Sequence, residues 1–155
     1  MRFVVVSDSH DNIFAIRELL EYLKNEIFDF VVHAGDIVSP FALQEFKKLN
    51  KKLYVAFGNN DGERKMLTKI CEDYGWSIGD IVEFPGGIVY HGTDQSVLNI
   101  LCRIGIFVIC GHTHKAKIEK RENCTVINPG ELCGYLTGRK TFAIVEEGEV
   151  SLLDL

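Results

Sequence analysis

Residues 3–10 read Phe-Val-Val-Val-Ser-Asp-Ser-His, an apolar run that ends in hydroxyl, carboxyl and imidazole side chains. Four consecutive apolar residues indicate a strand that is covered on both faces, as strands of parallel sheets are. The pattern returns where an apolar run over 28–33 leads to Gly35-Asp36. It returns again where a run over 53–57 leads to Gly58-Asn59. The sequence therefore predicts three buried strands, each of which ends in polar groups.

Helical patterns separate these strands. Apolar residues recur at three- and four-residue spacing after each strand, and Pro40 follows Ser39 in the place that proline favours at a helix start. The predicted helices cover residues 13–23, 40–50 and 63–74. The order of elements is then βαβαβα, which predicts a parallel sheet with helices on both faces.

The second half of the chain has shorter elements. Pro85-Gly86-Gly87 predicts a hairpin between strands at 81–84 and 88–91. A helix is predicted over 96–104 and a strand over 106–110. Four short strands, expected to be antiparallel, follow at 116–120, 124–128, 142–145 and 150–153. We expect an α/β fold in which two sheets pack face to face with helices outside, in a single domain spanning residues 1–155.

Composition limits the classes of function. With 155 residues, 46% of them hydrophobic, and a net charge of −5, the chain can bury a core but is a poor candidate for a stable nucleic acid complex. No apolar run reaches the roughly 20 residues that span a bilayer, and no signal-peptide pattern precedes the first strand, so we expect a cytoplasmic protein without a membrane partner. The five cysteines are odd in number and lack Cys-x-x-Cys spacing, which predicts reduced thiols.

Polar side chains with ligand chemistry gather at five predicted strand ends. Open α/β sheets bind ligands at the carboxyl ends of their strands, so these groups are expected to meet at one rim. Taken singly, each motif is equally typical of a turn, a helix cap or a solvated histidine. Together the strand ends supply two carboxylates, one amide and four imidazoles: Asp8, His10, Asp36, Asn59, His91, His112 and His114. His33 lies inside an apolar run and is interpreted as a core histidine with its own hydrogen bonds.

The donor types predict a metal centre. Carboxylates and imidazoles packed together without a cation would desolvate or repel one another. A mixture of Asp, Asn and His suits Mn, Fe, Zn, Ni or Co better than Mg or Ca, and of these we expect Mn. Seven ligands suit two ions about 3.5 to 4 Å apart, with Asp36 as the bridge. Such a centre predicts hydrolysis of a phosphate ester through in-line attack by a bridging hydroxide.

The ordered motifs resemble those of the calcineurin-like metallophosphoesterase superfamily: Asp8-x-His10, Gly35-Asp36, Gly58-Asn59, His91 and Gly111-His112-x-His114. The short chain and residues 127–130 (Ile-Asn-Pro-Gly) are similar to the small YfcE-type phosphodiesterases, and residues 58–63 and 128–138 to their archaeal members especially. This resemblance implies a four-layer α/β/β/α sandwich. It also implies that Asp8, His10 and His114 hold one metal, that Asn59, His91 and His112 hold the other, and that Asp36 bridges them.

One departure from the family pattern concerns the reaction. Many members carry a histidine after the metal-binding Asn, where it assists the transition state or protonates the leaving group, and this chain has Asn60. An amide can donate a hydrogen bond to a phosphoryl oxygen but cannot deliver a proton at neutral pH. Thr93 also stands where relatives often have a second histidine after His91. With Asn60 and Asp36 as candidate catalytic residues, we expect a preference for diesters or activated esters over alkyl monoesters.

Other interpretations stay open at this point. The retromer subunit Vps29 resembles the same family and binds proteins, so a protein-binding scaffold is the main alternative to an enzyme of small phosphate esters. Hydrolysis of an amide or lactone at a dinuclear centre is another. The basic run of Lys115, Lys117, Lys120 and Arg121 fits a solvated strand face or a surface that steers anions. The loop around Tyr135 could shape substrate entry or a contact in a homo-oligomer.

Overall fold

The protein is described by a computed structural model that covers residues 1–104 and 106–155. Within these residues the strands are β1 (Arg2–Val6), β2 (Phe30–His33), β3 (Lys52–Ala56), β4 (Ser77–Gly79), β5 (Ile81–Phe84), β6 (Gly87–Tyr90), β7 (Phe107–Ile109), β8 (Lys117–Lys120), β9 (Thr125–Asn128), β10 (Thr141–Glu146) and β11 (Glu149–Asp154). The α-helices are α1 (Ile13–Leu23), α2 (Pro40–Glu45), α3 (Arg64–Asp73) and α4 (Gln95–Leu101). A turn of 3-10 helix over Phe46–Leu49 continues α2. None of the helices in these two stretches combines the length and the apolar character needed to cross a membrane.

Two mixed sheets form the centre of the fold. The first has six strands in the order β11-β10-β1-β2-β3-β4. Strands β1 to β4 run parallel to one another, and β10 is antiparallel to both of its neighbours, β1 and β11. The second has five strands in the order β5-β6-β7-β9-β8, in which β6, β7 and β9 are parallel. The predicted α/β class with two mixed sheets is confirmed.

Three apolar layers separate the sheets and helices. Side chains alternate along β1, so that Val4 packs with the helices on one face and Phe3 packs with the second sheet on the other. Phe3 stacks on Phe30 with their ring centroids 5.0 Å apart. On the far face of the second sheet, Leu98 of α4 packs against Val108 of β7. The layers are therefore helix, sheet, sheet and helix, as the family resemblance implies.

Helix caps fix the chain where it leaves β1 and β2. The Asn12 side chain accepts a hydrogen bond from the backbone of Ala15 at the start of α1. Ser39 does the same for Ala42 at the start of α2, with Pro40 in the first turn. Because capping satisfies backbone groups that the helix leaves free, the loops after β1 and β2 each pass directly into a rigid element.

The structure differs from the sequence-based expectation in several elements. Helix α4 ends at Leu101, three residues before the predicted end. Helix α2 ends at Glu45, and the 3-10 turn after it ends at Leu49, before Asn50, whose φ is 49°. Strand β4 was not predicted, because its three residues contain no apolar run, and it is defined by pairing with β3. Strand β9 is antiparallel to β8 as expected but parallel to β7. Since β8 turns back from β7, β9 returns in the direction of β7 and lies between them.

The expectation that all five thiols are reduced is wrong in this structure. Cys102, at the end of α4, is joined to Cys124, which precedes β9, and their Cα atoms lie 5.4 Å apart. This spacing falls in the range that a disulfide bridges. The sequence gives no sign of the pair because only the packing of α4 on the second sheet brings the two residues together. Cys71, Cys110 and Cys133 are free and buried.

The backbone after β3 touches the backbone after β2, and a glycine makes this contact possible. A Cβ atom on Gly58 would collide with the backbone nitrogen and the carboxylate of Asp36. Gly62, four residues later, has open space around the same position and no left-handed φ. The two loops can therefore approach this closely only because residue 58 has no side chain.

We expect Gly58→Ala to lower the free energy of unfolding by about 1–3 kcal/mol, the usual cost of forcing atoms into a packed site. Gly62→Ala is the matched control and is expected to change it by less than about 0.5 kcal/mol, because a surface substitution there meets nothing. Urea denaturation followed by circular dichroism measures both. Equal stability of the two variants would show that the contact between Gly58 and Asp36 is not constrained.

Candidate metal centre

All seven side chains predicted as ligands lie at one edge of the two sheets. Each follows a strand at its carboxyl end, as the sequence indicates, and five of them have backbone φ angles in the left-handed region. These are Asp8 (50°), His10 (41°), Asp36 (56°), His112 (67°) and His114 (60°). Such angles are uncommon for residues other than glycine and cost on the order of 1–3 kcal/mol each. The fold holds these residues in a conformation that no regular element would give them.

A first group of donors lies around Asp8. The Nε2 atom of His114 is 3.4 Å from Oδ1 of Asp8, and Nε2 of His10 is 3.8 Å from the same oxygen. Nε2 of His10 is also 3.4 Å from Oδ2 of Asp36. Oδ1 of Asp8 and Nε2 of His10 are buried, and neither has a hydrogen-bond partner. Two unpartnered polar atoms that face each other in a buried site are what a missing cation would leave.

A second group lies on the other side of Asp36. Oδ2 of Asp36 is 3.4 Å from Nε2 of His91. The side-chain oxygen of Asn59 is 3.0 Å from that nitrogen and 2.9 Å from Nδ1 of His112. The two groups therefore share one carboxylate oxygen, and each contains three further donors.

These donors fit a transition-metal ion. With ligands at about 2.1 Å, neighbouring donors around a tetrahedral or octahedral ion lie roughly 3.0–3.4 Å apart. The spacings in both groups are close to this range except that between His10 and Asp8, which is wider at 3.8 Å. Asp8, His10 and His114 bring their ligand atoms within 4.8 Å of one another, and so do Asp8, Asp36 and His91. Two of the four donors in each group are imidazole nitrogens, which favours Mn, Fe, Co, Ni or Zn over Mg or Ca.

The ionisation of the site also favours a cation. Burial would raise the pKa of Asp36, but hydrogen bonds from His91 and from Asn60 outweigh it and hold the pKa far below its usual range. Burial would lower the pKa of His91, but hydrogen bonds to Asp36 and to the Ala34 carbonyl raise it. The contact with Asp8 likewise raises the pKa of His10. The carboxylates therefore attract protons to imidazoles where a metal ion would bind instead.

Asn60 contacts the carboxylate that the two groups share. Its backbone N–H donates to Oδ1 of Asp36 and its side-chain amide donates to Oδ2, each at 2.8 Å. The sequence-based hypothesis assigns Asn60 a hydrogen bond to a phosphoryl oxygen. In this structure the same amide nitrogen donates one hydrogen to Asp36, which leaves its second hydrogen for a substrate oxygen.

Asp61 supports the candidate site, and the sequence analysis did not identify it. Its buried carboxylate accepts hydrogen bonds from the backbone nitrogens of Asp36 (3.1 Å), Val38 (2.7 Å) and Gly58 (2.7 Å). It thereby ties the loop after β2 to the loop after β3. A carboxylate three residues after Gly58 was visible in the sequence, but turns commonly contain Asp, so the position alone gave no signal.

Glu131 is a second such residue. Its side chain is fully buried, and its Oε2 lies 2.6 Å from Nδ1 of His114. Burial would raise the pKa of Glu131, but the hydrogen bonds from His114 and Thr137 lower it to about 2. Glu131 lies within a segment that resembles archaeal relatives, and buried glutamates are rare without a partner. The sequence does not show that Glu131 is buried, so it gave no sign that this glutamate has a partner.

His33 is a core histidine, as the sequence indicates, and part of the basic run is paired with an acidic side chain. His33 is buried, its Nδ1 accepts from the backbone of Gly35, its Nε2 meets Oγ of Ser9, and burial lowers its pKa to about 3. It lies outside both donor groups. On β8, Glu119 pairs with Lys117 and with Arg121, each at 2.6 Å. These pairs engage two of the four cations of the basic run.

Comparisons with known protein families, sequences and structures agree with one another. A model of the calcineurin-like phosphoesterase superfamily domain matches residues 1–149. Phosphodiesterase MJ0936 of Methanocaldococcus jannaschii is 39% identical in an alignment of length 154 that covers 94% of this chain and 93% of that protein. A solved structure of an archaeal phosphodiesterase superposes with a TM-score of 0.93 at 38% identity and covers 100% of both chains.

More distant structures share the fold alone. The phosphoesterase YfcE of E. coli has a TM-score of 0.75 at 19% identity, over 97% of this chain and 91% of its own. A zinc complex of Vps29 from Entamoeba histolytica has a TM-score of 0.68 at 18% identity, over 100% and 98%. The family match and the identity to the archaeal enzyme are independent of these. This chain belongs to the calcineurin-like phosphoesterase superfamily, and it is a phosphoric ester hydrolase.

Proposed function

We propose that residues 1–155 form a single domain that acts as a metal-dependent phosphodiesterase with two divalent transition-metal ions, Mn²⁺ being the first candidate. One observation carries this proposal: seven donor side chains divide into two groups that share Oδ2 of Asp36. One group adds Asp8, His10 and His114, and the other adds Asn59, His91 and His112. A single ion with an open position for substrate could not use so many protein ligands.

The chain's own residues prepare the site for this chemistry. When bound, two ions would supply an activated water for in-line attack and offset the charge on the phosphoryl oxygens. Asp36 stays ionised because its pKa lies far below neutral, so it is available as a shared ligand. The Nδ1 of His91 is held 2.7 Å from the Ala34 carbonyl, which leaves Nε2 directed at Asp36. Asn60 fixes the orientation of the Asp36 carboxylate through two hydrogen bonds.

The substrate class follows from what the site lacks. No histidine follows Asn59, and an amide at residue 60 cannot protonate a leaving alcohol. A diester with an activated leaving group does not need that proton, whereas an alkyl monoester does. The name of the similar archaeal protein, a phosphodiesterase, supports the same class. We propose that the substrate is a small water-soluble phosphodiester met in the cytoplasm.

We expect Asp36→Ala to abolish turnover of bis(p-nitrophenyl) phosphate at saturating Mn²⁺, because it removes the carboxylate that both groups share. The number of tightly bound Mn²⁺ ions, measured by calorimetry, is expected to fall below the two of the wild type. Asp80→Ala is the matched control, since this exposed carboxylate pairs only with Arg64 among its described neighbours. Near-normal turnover by Asp36→Ala would remove Asp36 from the bridging role.

A panel of substrates tests the proposed class directly. Protein stripped of metal and reloaded with Mn²⁺ is expected to hydrolyse an aryl diester at least about tenfold faster than glycerol phosphate, a difference of about 1.4 kcal/mol in activation free energy. The measurement compares kcat/KM for the two substrates with Mn, Ni, Co, Zn and Mg in turn. Equal rates would contradict the preference for diesters, and turnover of an aryl carboxylate ester alone would contradict phosphoester hydrolysis.

We expect Asn60→His to raise kcat/KM more for poor leaving groups than for good ones, because an imidazolium can deliver the proton that the amide cannot. A series of methyl aryl phosphodiesters with leaving groups of increasing pKa measures the slope for both proteins. The slope is expected to become shallower in the variant. A parallel shift of the whole series would mean that residue 60 does not act on the leaving group.

A further inference from the structure

Glu131 is a fully buried carboxylate beside the candidate metal centre that belongs to neither donor group. A buried ionised carboxylate is stable only when its oxygens are satisfied, and here they are. Its Oε1 accepts from the backbone of Leu136 (2.9 Å) and from the backbone (2.6 Å) and hydroxyl (2.8 Å) of Thr137. Its Oε2 faces Nδ1 of His114 (2.6 Å) and the Cys133 thiol (3.2 Å), and it shares the Leu136 N–H with Oε1 at the longer distance of 3.2 Å.

These contacts decide where the proton of His114 lies. An ionised carboxylate only accepts hydrogen bonds, so Nδ1 of His114 must carry the hydrogen that it shares with Glu131. The neutral ring then has its lone pair on Nε2, which lies 3.4 Å from Oδ1 of Asp8 in the first donor group. A metal-binding histidine needs this arrangement, because a protonated Nε2 cannot bind a cation.

The rest of the loop keeps the carboxylate in place. Leu136 and Thr137 hold Oε1, so rotation of the side chain would break several hydrogen bonds at once. Gly134 and Gly138, with φ of 71° and 74°, let the chain turn back so that these donors face Glu131. The carboxylate is therefore fixed from one side and presents Oε2 to His114 from the other.

We propose that Glu131 is a positioning residue that sets the tautomer and ring orientation of His114 and so makes its Nε2 available to a cation. The effect on metal binding rests on the proposed metal centre. The tautomer itself is a property of the metal-free protein.

The variant E131Q tests the inference with little change of shape. Because the Oε1 position faces three donors, the glutamine oxygen is expected to occupy it, which turns the amide NH₂ toward His114. Nδ1 must then accept, and the ring hydrogen moves to Nε2. In metal-free protein at alkaline pH, long-range ¹H–¹⁵N spectra are expected to show His114 as the Nδ1–H tautomer in the wild type and as the Nε2–H tautomer in E131Q.

Metal affinity provides the second measurement. Loss of the carboxylate partner of a metal-binding histidine typically weakens metal binding by 10–100-fold, and we expect a loss of about that size for one of two Mn²⁺ ions in E131Q. T137V is the matched control, since it removes one donor to Oε1 and leaves the contact with His114 intact. We expect T137V to keep the wild-type tautomer and affinity. A residue that only anchored the loop would give the same result in both variants.

The outcomes separate the inference from the proposed function. An Nε2–H tautomer of His114 in the wild type would overturn the inference, and this test does not require E131Q to fold. An unchanged tautomer in folded E131Q would also overturn it. A wild-type protein with the expected tautomer that binds fewer than two Mn²⁺ ions would overturn the dinuclear centre and leave the role of Glu131 in setting the tautomer supported.

Discussion

A single carboxylate, that of Asp36, is the point on which the candidate site depends. Two imidazoles approach its Oδ2 to 3.4 Å from opposite groups, and Asn60 donates to both of its oxygens. Its backbone nitrogen is held in turn by Asp61. Without this carboxylate the donors around Asp8 and those around Asn59 would form two separate clusters. The fold places it there because β2 is central in the first sheet and ends between β1 and β3.

The surrounding structure offsets the cost of this arrangement. Left-handed backbone angles at five candidate ligands are unfavourable. They persist because buried polar side chains outside the donor groups form hydrogen bonds that hold the loops in place. Asp61 joins the loops after β2 and β3, and Glu131 joins the segment after β9 to His114. Gly58 allows the loops after β2 and β3 to approach each other. The residues that support the site thus require particular side chains, as the candidate ligands do.

The sequence predicted much of this architecture and little of that support. Apolar runs such as Phe3–Val6 identified the central strands, because a strand covered on both faces must be apolar throughout. Motif order identified the seven residues that converge. Strand β4, with no apolar run, and the pairing of Cys102 with Cys124 depend on contacts between distant segments, so local patterns could not reveal them. Asp61 and Glu131 were visible as residues, but only their burial and hydrogen bonds show what they do.

The charges along β8 affect association between molecules of this protein. This strand is an open edge of the second sheet, and unpaired backbone groups at such an edge invite strands from other molecules to add to it. Lys117, Glu119 and Lys120 place alternating charge along that edge, and any strand docking there would have to desolvate them. Continuous sheet formation between molecules is thereby discouraged at β8, which leaves crowded solutions of the protein better protected from fibrous aggregation on that side.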